Sequence, residues 1–182
     1  MSMKSGHFIT DASLIKVGHR LLSCLFAAYD YDLLRRDDDP DPMDDFRQFE
    51  EEDISEWILN LAAIARVKDD ELGTLKTIEP NFPSGVGVLE EGGKTVALSI
   101  REACNNVIHA TAVQYEFGWA DENPIWGRWF RAQGCEIKGK YKAPALVLEG
   151  TRQNGIPWKA KVELVPFVLA VAMWDMWKWK LT

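Results

Sequence analysis

The feature that most constrains this fold is a change of hydrophobic period near residue 110. Before it, apolar residues recur at three- and four-residue steps; after it, they alternate. Leu14, Val17, Gly18, Leu21, Leu25 and Tyr29 fall on one helical face, which predicts a helix from a cap at Thr10 or Asp11 to about Arg36. Ile54, Trp57, Ile58, Leu61, Ile64 and Ala65 form the cleanest stripe and predict a second helix, capped by Asp53 and fading near Asp69. A third is expected from about Thr95 to Ala110. Then Val113, Tyr115 and Phe117 alternate with Gln114 and Glu116, the signature of a strand. Ala145–Gly150 and Trp158–Leu164 are the next strand candidates. Asn154-Gly155 lies between them, and this pair favours a tight hairpin because both positions tolerate positive φ. Pro166 can occupy the first turn of a last helix carrying Phe167, Val168, Val171, Ala172 and Trp174.

The expected architecture is therefore α+β and mainly a helical bundle. Three helices precede a small antiparallel sheet of about three strands, and a C-terminal helix closes the chain. With 182 residues, 47% of them hydrophobic, residues 1–182 fit a single domain. From Gly73 to Gly93 there are two Pro and five Gly with little periodicity, which reads as a long loop.

Charge is distributed unevenly. The net charge of −7 taken whole discourages a nucleic-acid partner. Residues 1–120, however, carry 11 Lys+Arg against 22 Asp+Glu, whereas residues 121–182 carry 10 against 6. The acid is densest between 37 and 53, where Pro40 and Pro42 forbid continuous helix. That stretch reads as a solvated, self-repelling loop, or alternatively as a docking site for a basic protein partner. Seven of the eight Trp lie at or after Trp119. Within 119–142, Trp126, Arg128, Trp129, Arg131, Lys138, Lys140 and Lys142 interleave rings with cations. This pattern suits single-stranded nucleic acid, where bases stack and cations track phosphates. The same residues suit a core edge or an oligomer interface, and the segment could also pair with the acidic stretch, within the chain or across a dimer.

Three widely spaced cysteines, Cys24, Cys104 and Cys135, make a disulfide framework or zinc ribbon unexpected and suit a reducing cytoplasm. The scattered His7, His19 and His109 leave no paired-histidine metal site, and no phosphate-binding glycine motif is present, so neither metal nor cofactor is expected. The longest apolar run, Leu164 to Trp174, falls short of the ~20 residues a membrane span needs.

The third helix holds the one constellation with chemical content. At about 100° per residue, Arg101, Asn105 and His109 share a strip beside the apolar arc of Ile100, Ala103, Cys104, Val107 and Ile108. A histidine can move a proton near neutral pH, an arginine can hold phosphate oxygens, and an asparagine can orient either partner. RNA brings its own 2′-OH as nucleophile. A polar helix face turned to water is the plainer reading of the same residues, and burial on the apolar arc favours an inert Cys104 thiol.

Asn105-Asn106-Val107-Ile108-His109, at the end of an amphipathic helix, resembles the helix of HEPN-superfamily domains. Asn105 and His109 match the family's polar and His positions. The family's Arg position departs from the pattern: Cys104 stands just before Asn105, and Arg101, eight residues before His109 on the same strip, would be the displaced counterpart. The resemblance implies a homodimer that binds RNA or cleaves it without metal, as toxin and defence proteins do. Arg101, Asn105 and His109 would then be the catalytic residues. The alternative is a non-catalytic interaction or regulatory module that self-associates through its Trp-rich C-terminal half.

Overall fold

A computed structural model of the chain describes residues 11–34, 44–120 and 139–172. Helix α1 spans Asp11–Leu34 and α2 spans Asp44–Leu72. The short α3, Thr74–Ile78, runs into a 3-10 turn at Glu79–Asn81. Strands β1, Gly87–Glu91, and β2, Lys94–Ala97, precede α4, Ile100–His109. Strands β3, Ala112–Ala120, β4, Gly139–Thr151, and β5, Pro157–Glu163, lead into α5, Leu164–Ala172.

All pairings in the sheet are antiparallel, in the order β2-β1-β5-β4-β3. Strand alternation separates two faces. Leu89, Ala160 and Leu148 lie in register and are buried; the next row, Glu90, Lys159 and Glu149, faces outward and is charged. Helices α1, α2, α4 and α5 cover the apolar face through Leu14 and Leu21, Ile54 and Leu61, Ile100 and Ala103, and Phe167 and Val171, all fully buried. Gly18 allows α1 close to α5, since a Cβ there would fall 2.4 Å from that of Ala172. Among the described residues, no helix is long and apolar enough to cross a membrane.

The expectation of a mainly helical bundle with about three strands is thus corrected: the fold is α+β around a five-stranded antiparallel sheet. The two strands absent from the sequence reading, β1 and β2, lie where a loop and the start of the third helix were expected. They are five and four residues long, too short for alternation to stand out. Gly92 and Gly93, at φ +56° and +77°, form the two-residue turn that pairs Glu91 with Lys94. The backbone of Leu98 bonds Val86 and Gly87, which draws residues 94–97 into the sheet. Helix α4 therefore starts at Ile100, behind a Ser99 cap that accepts the Glu102 N–H at 3.1 Å.

The acidic stretch differs as well. It was expected as loop through residue 53, but α2 already begins at Asp44, directly beyond the prolines. Burial of Ile54, Ile58 and Leu61 contributes about 2 kcal/mol each. Repulsion between carboxylates a turn apart costs only about 0.5 kcal/mol a pair.

Candidate functional site

Three polar clusters and one apolar cleft stand out among the described residues. The first cluster contains Arg101. Its guanidinium reaches across to α2, where one nitrogen contacts the Asp69 carboxylate and the other lies 2.8 Å from Asp70 Oδ1. The Asp69 side chain is buried. It also pairs with Arg66 at 3.3 Å and accepts the Leu75 N–H at 2.8 Å, so it stitches α2 to the start of α3 and to α4. Arg101 is the remote cation that completes this network. Asn105 is half-buried one turn on, and His109 is exposed at the helix end. No hydrogen bond or ion pair joins Arg101, Asn105 and His109 to one another. The helix aligns the three along one strip, and the structure gives the arginine a partner of its own.

The second cluster centres on Arg152, in the β4–β5 hairpin. It donates to Glu91 Oε2 of β1 at 2.8 Å, to Glu102 of α4, and to Asn106 Oδ1 at 3.4 Å, and its guanidinium lies 5.5 Å from the Trp158 ring. These partners hold the guanidinium strongly in its charged form, Glu91 foremost. Asn106 is fully buried with its Nδ2 lacking a hydrogen-bond partner. The cluster ties both hairpins to α4, and Gly150 makes room for Trp158, whose ring a Cβ there would meet at 2.4 Å.

The third cluster is a buried ion pair. Lys142 of β4 lies 2.8 Å from Glu51 Oε1 and 3.7 Å from Glu50 Oε2, with its ammonium 5.3 Å from the Tyr115 ring. The Tyr115 hydroxyl donates to the Glu51 carbonyl at 3.2 Å. Burial pushes the Tyr115 hydroxyl up to about 12 and the Cys24 thiol to about 11. Lys142, one of the candidate nucleic-acid contacts, is buried against Glu50 and Glu51 of the acidic stretch. Lys140 lies in β4, paired with Trp119 of β3. Trp126, Arg128, Trp129, Arg131 and Lys138 lie outside the described residues.

The apolar cleft, about 250 Å³, opens between α2, the end of α4 and the β3–β4 pair. Its roof is Ser55, Ile58 and Leu59; Leu146 and Leu148 form the floor, and Val113 lies at the rim. Leu59 and Val113 remain 46% and 50% exposed. Sequence reasoning missed this feature, although one signal was present: Leu59 is a large apolar residue that falls off the stripe of α2. A second, shallower depression of about 760 Å³ runs past the β1–β2 turn and the start of β5, with Glu90, Glu149, Lys94 and Lys159 around it.

Among the described residues, no group of three or more His, Cys, Asp or Glu is arranged to hold a metal ion. Cys104 is fully buried and its thiol is pushed up to about 12, a state that does not supply a nucleophile near neutral pH. No family model, curated protein or solved structure matches the chain.

Proposed function

We propose that this protein is a non-catalytic protein-interaction module that binds through the cleft beside β3. The observation that carries the reading is the cleft itself, an open apolar recess with two half-exposed aliphatic side chains at its mouth. Concave, mostly apolar recesses are where proteins take up ligands and side chains of partners. The polar groups of α4 support the same reading. Arg101 is engaged by Asp69 and Asp70, and Glu102 by Arg152, so a phosphate would have to displace a carboxylate to reach either cation.

The competing reading is RNA cleavage by the Arg101, Asn105 and His109 strip. Its support is the exposed His109 with Asn105 one turn behind it. The two readings separate when the purified chain and its His109→Ala variant are incubated with single-stranded RNA. The interaction reading expects equal, background-level cleavage by both. It also expects a stoichiometric complex with a protein partner that survives nuclease treatment and is lost in Leu59→Asp. RNA cleavage by the wild type that disappears in a folded His109→Ala variant would overturn it.

A further inference from the structure

We infer that the cleft accepts an extended, basic and apolar segment of a partner protein, added to the sheet beside β3 as a further strand. This rests on the interaction reading above and names the chemistry of the partner. Three observations lead to it.

The first is the edge. Among the described residues, β3 is the outermost strand beyond β4, and it is nine residues long. An edge strand presents unpaired N–H and C=O groups that template another strand about 4.8 Å away. The second is shape. The cleft lies on the apolar side of this edge, with Val113 at the rim, Leu146 and Leu148 inside, and Leu59 overhanging. A strand laid along β3 points every second side chain toward that recess, and these side chains must be apolar.

The third is charge, which fixes the other alternate positions. On α2, Glu52 and Glu56 fall about 20° and about 60° around the helix from Leu59, and both are exposed. β3 carries no cation, and its one charged residue, Glu116, pairs with Lys161 at 2.6 Å on the far side of the sheet. A segment entering here meets aliphatic side chains and carboxylates, which suits alternating aliphatic and Lys or Arg residues. A second copy of this chain is a poorer occupant, because it would bring together two molecules each at −7, with Glu52 and Glu56 on the α2 flank of the shared edge.

The test uses the full chain and a fluorescent, end-blocked peptide of about six residues alternating valine and lysine, with a valine–glutamate peptide as control. The lysine peptide is expected to bind with an affinity that falls as salt rises, and the glutamate peptide to bind at least about tenfold more weakly. Glu52→Lys with Glu56→Lys should weaken the lysine peptide by about tenfold, and Val113→Asp should abolish binding. These positions are exposed, so circular dichroism should show the fold retained. Equal affinity for the two peptides, no binding, or binding indifferent to all three substitutions would overturn the proposal. A dimer in sedimentation that Val113→Asp dissociates would also overturn it, by assigning the edge to a second copy. A partner complex that persists in these variants yet is lost in Leu59→Asp would remove the added strand while leaving the interaction reading standing.

Discussion

Arg101 shows how one residue can read as chemistry in a sequence and as architecture in a fold. Its spacing from Asn105 and His109 is visible in the primary structure, whereas its engagement by Asp69 and Asp70, more than thirty positions away, is not. Replacing Arg101 by Ala leaves the buried Asp69 with Arg66 alone on its charged side. Stability should fall by about 1–2 kcal/mol, measured by urea unfolding. A purely surface role would leave the midpoint unchanged. Arg152 escaped notice for the same reason, since its partners Glu91 and Glu102 come from two other elements. Leu59 was legible in principle: an apolar residue off the stripe of an otherwise regular helix asks what covers it. The basic aromatic residues from Trp126 to Lys138 lie outside the described residues.

Elements with a full period were legible, and those without one were not. The stripes of α1 and α2 and the alternation of β3 span several turns or pleats, so burial repeats often enough to show. β1 and β2 give barely two pleats each, and only their Gly92-Gly93 turn marks the hairpin. The start of α2 was misplaced because a run of like charge reads as loop until its compensation is known. Part of that compensation is Lys142, which packs against Glu50 and Glu51. Lys142→Met keeps most of the volume but removes a cation beside the buried Glu50. We expect a loss of about 2 kcal/mol in chemical denaturation, smaller than for a fully enclosed pair because Glu51 reaches solvent. Adding Glu50→Leu to Lys142→Met should restore much of it; no recovery would mean that the pair is not what holds this end of α2 on β4.

At the scale of the whole molecule, one core binds helices to sheet, and three weak acids, Cys104 within it and Cys24 and Tyr115 packed against it, are shifted by burial. Burial raises Cys104 from 9.0 to about 12, Cys24 from 9.0 to about 11 and Tyr115 from 10.0 to about 12. Each is neutral in the fold and ionises more readily once unfolded. Their contribution is therefore complete below about pH 9 and is lost as the pH climbs toward 12. Far-ultraviolet circular dichroism should show cooperative alkaline unfolding in that window. Cys104→Ala should flatten the pH dependence even though it lowers stability at neutral pH. An unchanged alkaline profile in Cys104→Ala would show that the thiol is not linked to folding.

Amide hydrogen exchange of the full chain with the valine–lysine peptide, and separately with single-stranded RNA, tests the central claim most directly. Slowed exchange along Ala112–Tyr115 with the peptide, and no change along Arg101–His109 with RNA, is the predicted result. Protection of Arg101–His109 by RNA, with β3 indifferent to the peptide, would contradict it.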